Sequence, residues 1–144
     1  MPSFLPHGRN TVSPYVHATD VARLIAFLKA TLGAEEVFRL AMPDGHVVHA
    51  EVKVGDSTIM MGSPSEARRM RSQIHCYVDD VDAAYARAVA AGATSMHEPG
   101  DMFYGDRIAS VKDAWGNEWF LATHKEDVSP EEMQRRMLAP PGGG

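Results

Sequence analysis

The chain repeats itself at an offset of about sixty residues, and this constrains its fold more than any other feature. Val12 to Gly33 reads as strand, aspartate, amphipathic helix, glycine. Ser72 to Gly92 reads the same way, with Asp20 matched by Asp80 and Gly33 close to Gly92. In the first copy Val21, Leu24, Ile25, Leu28 and Leu32 keep the spacing of one helical face. Asp20 is placed to accept from first-turn N–H groups, and Gly33 to end the helix in the left-handed conformation. In the second copy Val81, Ala84, Tyr85 and Ala88 form the matching face, between Asp80 or Asp82 and Gly92.

Strand-like sequence follows each helix. In the first copy it runs from Glu36 to Ala41, through a Pro43-Asp44-Gly45 turn, then from His46 to Val54, where Val48, Ala50, Val52 and Val54 alternate with His49, Glu51 and Lys53. A Gly55-Asp56 turn leads into Ser57 to Gly62. The second copy runs through Ala93 to His97, a glycine-containing loop from Gly100 to Asp106, Ile108 to Lys112, a turn from Ala114 to Asn117, and Glu118 to Thr123. The expected class is α+β, with two βαβββ modules at 12–65 and 72–124 inside one domain spanning 12–124. Residues 1–11 form an N-terminal tail. Residues 125–144 hold a C-terminal helix and a flexible tail: Ser129-Pro130-Glu131-Glu132 is an N-cap, first-turn proline and capping-box pattern, and the helix runs to about Leu138. Met133 and Met137 lie one turn apart on it, suited to packing on a neighbouring surface.

At 144 residues the chain is about one domain long, and with 44% hydrophobic residues it has enough apolar sequence for a core without a metal or disulfide. Cys76 is the only cysteine, so no intramolecular disulfide and no cysteine-based zinc site is open to it. A net charge of −5 argues against nucleic acid as a partner, and the basic cluster Arg68, Arg69, Arg71 reads as a solvated linker. No apolar run approaches a membrane span and Met1 to Asn10 lacks a secretory pattern, so a cytoplasmic protein is expected.

The duplicated strand-Asp-helix-Gly signature over Val12 to His124 resembles the vicinal oxygen chelate superfamily of glyoxalases, extradiol dioxygenases, fosfomycin-resistance enzymes and bleomycin-binding proteins. Val12-Ser13-Pro14-Tyr15, His49-Ala50-Glu51, Gly55-Asp56-Ser57, Tyr77-Val78-Asp79-Asp80-Val81, Phe103-Tyr104-Gly105-Asp106-Arg107 and Ala122-Thr123-His124 resemble its PhnB-like branch. The resemblance implies a cup-shaped mixed β-sheet barrel with helices outside, whose modules pair within one chain or between two. It also implies one inward metal ligand on the first and last strand of each module. Those positions fall on Ser13, Met60, Gln73 and Phe120. A hydroxyl, a thioether, an amide and a phenyl ring do not make the three hard or borderline ligands a catalytic divalent ion needs.

Strand parity then gives the pocket lining. With Ser13 and Gln73 inward, Tyr15, His17, His75 and Tyr77 face the cavity, and Cys76 and Trp119 are core filler. His49 and Glu51 share one face of their strand, where the carboxylate can raise the imidazole's basicity. The candidate ligand-binding residues are Tyr15, His17, His49, Glu51, Met60, Gln73, His75, Tyr77, Phe103, Tyr104, Arg107, Trp115 and Phe120, with Trp115 at the cavity mouth. Arg107 can clamp an anionic ligand, but pairing with Asp106 or a neighbouring acid to fix its loop between strands is the favoured role. His7, His46, His97 and His124 are expected at exposed positions.

The leading expectation is a metal-independent protein that binds, and sequesters, an apolar or planar aromatic small molecule of drug-like kind, as antibiotic-resistance binders of the superfamily do. Aromatic faces stack on flat ligands at low entropic cost. The alternative is a glyoxalase-like lyase, isomerase or dioxygenase acting through His49, Glu51 and His75, with or without a displaced divalent metal held by His17, His49, Glu51 and His75. A third is a binding subunit with a vestigial cavity. A homodimer is expected, because open cups leave apolar faces to cover.

Overall fold

The computed structural model describes residues 4–139. Along the chain run β1 (Tyr15–His17), α1 (Val21–Leu32), β2 (Glu35–Ala41), β3 (Val47–Val54), β4 (Ser57–Gly62), β5 (Gln73–Tyr77), α2 (Val81–Ala90), β6 (Thr94–Asp101), β7 (Asp106–Lys112), β8 (Glu118–His124) and α3 (Pro130–Leu138). They form two four-stranded mixed sheets, in the orders β1-β4-β3-β2 and β5-β8-β7-β6. In each, the strand before the helix pairs parallel with the module's last strand and the rest is antiparallel. The expected duplicated βαβββ architecture is present. The sheets are two open cups, not one hydrogen-bonded barrel, because β1 and β5 end them as edges.

Local chemistry sets the boundaries. Asp20 accepts from the Arg23 N–H at 3.1 Å, and Gly33 at φ 64° returns its N–H to the last turn of α1. Asp80 accepts from the Ala83 N–H in the same way. The first strand begins at Tyr15 and not Val12, because Pro14 has no N–H to donate; its carbonyl still accepts from Met60 N at 2.9 Å. The sixth strand runs past His97 to Asp101. It is an edge strand with an irregular register between His97 and Gly100, which is where a strand tolerates Pro99.

One core serves both modules. Val16, Leu24, Ile25, Leu28, Ala50, Val52 and Met61 of the first pack in the same cluster as Ala88, Val111 and Trp119 of the second. A smaller cluster holds Val81, Ala84, Ala109 and Leu121, with Cys76 partly buried against it. Helix α1 covers one face of the first sheet and α2 one face of the second, and the opposite faces stay open.

The modules are pinned by a buried polar network. Asn117, fully buried, donates from Nδ2 to the His17 carbonyl and to Asp113 Oδ2, both at 3.0 Å, and accepts from Ser72 N at 2.9 Å. Asp113 also accepts from Trp119 Nε1 at 3.0 Å and from the Trp115 N–H at 2.9 Å. The carboxylate is thus solvated by the protein, as a buried charge requires.

A second network clasps the C-terminal segment. His124 bridges Asp106 and Asp127, each at 2.7 Å, and Asp106 accepts from Tyr77 Oη at 2.9 Å. Gly105 has φ 102°, and a Cβ there would lie 2.2 Å from the Glu126 carbonyl, so both backbone angle and space demand glycine. On α3, Arg136 donates to the Phe103 carbonyl at 3.1 Å and to Glu126 at 2.7 Å. Hydrogen bonds donated by the ring to Asp106 and then to Asp127 raise the His124 pKa. Burial lifts Asp106, but hydrogen bonds from His124 and Tyr77 outweigh it and hold the carboxyl below its ordinary range.

Asn117→Leu keeps the volume but strands the Ser72 N–H and the His17 carbonyl, and should cost about 3 kcal/mol or more in denaturant unfolding. The His124 clasp should be pH-dependent. Its raised folded pKa makes the imidazole's contribution complete below the ordinary value of 6.5 and lost as pH rises through the raised value. The depressed Asp106 contributes fully above its ordinary 3.8, and that contribution is lost as pH falls through the lowered value. The melting-temperature gap between wild type and His124→Gln should therefore be widest between those two ordinary values and narrow on either side.

Candidate functional site

The open face of the first sheet follows from its register. Tyr15 and Glu51 both lie opposite Met60, His17 and His49 opposite Gly62, Phe38 opposite Glu51, and Leu40 opposite His49. Residues directly opposite share a face, so these side chains stand together, away from buried Val16, Ala50, Val52 and Met61. Tyr15, Phe38 and Leu40 are exposed there. A cavity of about 500 Å³ opens beside them, lined by Tyr15, His17, Gly62, Pro64 and Met70 among others.

A hydrogen-bonded chain crosses this face. Tyr15 Oη lies 3.0 Å from His49 Nδ1, His49 Nε2 lies 3.0 Å from Glu51 Oε2, and Arg9 from the N-terminal tail pairs with Glu51 Oε1. Burial alone would raise the Glu51 pKa, but hydrogen bonds from His49 and Arg9 outweigh it and hold the carboxyl below its ordinary value. An ionised Glu51 can only accept, so it keeps the His49 proton on Nε2 and leaves Nδ1 to accept from the phenol. Such a chain can take a proton from the Tyr15 oxygen, or return it, with the carboxylate stabilising the imidazolium. Gly62 makes the geometry possible: a Cβ there would lie 2.6 Å from Tyr15 Oη. Ring contacts complete the wall, with centroids 5.7 Å apart for Tyr15 and His49 and 6.0 Å for Phe38 and His49. His17 stacks edge-on to Tyr15, and its Nδ1 accepts from Met70 N at 2.9 Å.

The open face of the second sheet carries Gln73, His75, Tyr77 and Phe120. Gln73 reaches Glu118 at 3.4 Å, the His75 and Tyr77 rings lie 5.0 Å apart, and Phe120 lies opposite His75. Its hydrogen bond to Asp106, then burial, pushes the Tyr77 phenol up. Tyr104 packs edge-on against Phe103 at 5.2 Å, and burial followed by the Asp106 charge raises its phenol too.

The structure separates the candidate residues. The candidate residues do not line one pocket within a chain: the cavity beside Tyr15 shares no lining residue with the groove beside His75 and Tyr77. Trp115 is not at a cup mouth. Its Nε1 donates to Thr19 Oγ1 at 2.8 Å, and Arg23 of α1 lies over its ring at 5.5 Å, on the helix side. Of the two roles open to it, Arg107 takes the structural one, pairing with neighbouring acids other than Asp106. It makes a bidentate pair with Asp82 of α2, at 2.8 and 3.0 Å, and reaches Asp101 at 3.2 Å. The register sets Tyr15 opposite Met60, Gln73 opposite Glu118 and His75 opposite Phe120.

A divalent ion does not fit these strand positions. Tyr15, Met60, His75 and Phe120 offer one imidazole, and Ser13, Thr58, Gln73 and Glu118 offer one carboxylate. Nor does the displaced set assemble: His49 and Glu51 bond to each other, His17 is engaged by Met70, and His75 belongs to the other sheet. Among the described residues no group of three His, Cys, Asp or Glu side chains is arranged to hold a metal ion.

Several participants carried little sequence signal. Phe38 and Leu40 alternate as a strand face should, which parity could have exposed. Arg9 reaches Glu51 from a tail with no periodicity, and His124 had only its strand-end position.

A family model described as the Glyoxalase/Bleomycin resistance protein/Dioxygenase superfamily matches residues 12–121. An uncharacterized protein of Mycobacterium bovis is 31% identical over 138 residues, covering 88% of this chain and 91% of that protein. Among solved structures, TioX from Micromonospora sp. ML1 superposes with a TM-score of 0.69 at 24% identity, over 80% of this chain and 98% of that one. The fosfomycin resistance protein FosX from Listeria monocytogenes, complexed with Mn(II) and sulfate, gives a TM-score of 0.63 at 18% identity, over 89% of this chain and 97% of that one. These structures share its fold. With its duplicated modules and this family match, the chain belongs to the glyoxalase/bleomycin resistance protein/dioxygenase superfamily.

Proposed function

We propose that the first cup binds a planar aromatic small molecule without a metal ion, sequestering it unaltered. The observation that carries this reading is the exposed wall of Tyr15, Phe38 and His49, with Leu40 and Met60 beside it, on a face whose register offers no ligand set for a divalent ion. Flat rings fixed by hydrogen bonds present a stacking surface with little entropy left to lose, and Met60 adapts to irregular outlines. The superfamily relationship supports a small molecule as partner, and the FosX and TioX folds show the same scaffold in other settings.

A second reading is supported by the Tyr15–His49–Glu51 chain, which is what a general acid–base step at the phenol oxygen requires. Tyr15→Phe separates the two. It keeps the ring and loses the hydroxyl, so a binder retains affinity within a few-fold, whereas an enzyme loses turnover.

Both cups are open in one chain, and we propose that a second copy covers them in a homodimer. The mass measured by size exclusion with light scattering should be twice that of the 15.7 kDa chain.

For metal-stripped protein, planar aromatic compounds at a hundredfold their Kd should raise the melting temperature by roughly 5–10 °C, following about 2.7 kcal/mol of linkage. Divalent ions should not. A response to ions alone overturns the reading, as does recovery of a chemically altered ligand by mass spectrometry. Gly62→Ala should weaken aromatic binding about tenfold by swinging the Tyr15 ring off His49, a loss on the scale of one ring contact.

A further inference from the structure

A cleft of about 630 Å³ opens on the helix side of the module junction and shares no lining residue with the cavity beside Tyr15 or the groove beside His75. Arg23 of α1, Arg69 and Arg71 of the segment joining the modules, and Lys112 at the end of β7 line it, with Thr19, Trp115 and Gly116. This places four cations around one space on a chain of net charge −5. Among the described residues, Arg23, Arg69, Arg71 and Lys112 have no carboxylate partner. The one acid lining the cleft, Asp113, is 7% exposed and turned inward to Trp119 and Asn117, so it leaves the arginines unneutralised.

The cleft is also preorganised. Thr19 fixes the indole of Trp115 through its Nε1 at 2.8 Å, and the Arg23 guanidinium sits over that ring at 5.5 Å. Arg71 lies across the turn at Gly116, where φ is 86° and a Cβ would lie 3.0 Å from Arg71 Nε. Ser72, the next residue, is anchored by Asn117. Like charges gathered without counter-ions repel one another, and a compact polyanion relieves that repulsion. A guanidinium fork matches phosphate oxygens bidentately, and several forks around one space favour several phosphates over a single carboxylate.

We propose that this cleft binds a small oligophosphate anion, held by the guanidinium groups of Arg23, Arg69 and Arg71 beside the Trp115 indole. The site is independent of the aromatic cup. It also changes the meaning of the Arg68-Arg69-Arg71 cluster: two of its members face this cleft, while Arg68 lines the cavity beside Tyr15.

Calorimetric titration of the full chain with inorganic tripolyphosphate tests the proposal. One-to-one saturable binding is expected, weakening as salt rises from about 50 to about 200 mM. The double variant Arg69→Ala/Arg71→Ala should bind at least about tenfold more weakly, as loss of charge-assisted hydrogen bonds predicts, with an unchanged melting temperature. Arg68→Ala should bind as wild type does. Arg23→Ala should weaken binding too, but it also disturbs Trp115, so the Arg69/Arg71 pair is the decisive variant. A nucleoside triphosphate run in parallel identifies the source of the chemistry: equal affinity marks the phosphate chain alone, and tighter binding marks a base on the indole. Absence of tripolyphosphate binding, or equal losses in Arg68→Ala and the Arg69/Arg71 pair, overturns the proposal.

Discussion

The junction of the two modules turns on one buried amide and one buried carboxylate. Asn117 ties the end of β1, the start of β5 and the turn before β8 together, and Asp113 gathers both tryptophans' N–H groups of that turn and strand. A buried carboxylate is costly unless surrounded by donors, so this arrangement is all or nothing. Once it forms, the relative placement of the sheets is set, and apolar residues of both modules close into one core.

The functional surfaces inherit that placement. On the open side, the first sheet presents phenol, imidazole and carboxylate in a line, with the N-terminal tail laid against it through Arg9. On the helix side, the turn that Asn117 holds presents Trp115 and Gly116 to the arginine-lined cleft. The two sheets have diverged in opposite directions from a common plan. In the first a glutamate polarises a histidine, which accepts from a tyrosine; in the second a tyrosine and a histidine both meet one aspartate, and the histidine serves the C-terminal clasp. Duplication therefore supplied the frame, and the polar residues placed on each open face give the halves different chemistry.

Arg107 and Trp115 show how far motif position misleads about direction. Both sit in segments expected near a ligand, yet one is committed to Asp82 and the other to Thr19 and Arg23. A single residue's shift in strand phase reverses the face a side chain occupies. Near a turn, sequence spacing does not fix that phase.

Sequence alone determined the duplicated modules, both N-capped helices, most of the strands, and the shared face of His49 and Glu51. These rest on periodicity, capping chemistry and turn residues acting within a few positions. Only the tertiary structure decided that Arg9 reaches Glu51, that the cups do not merge within one chain, and that Arg23, Arg69 and Arg71 converge beside Trp115. Each of those joins segments far apart in the chain through packing and long side chains, and no local pattern encodes where such side chains meet.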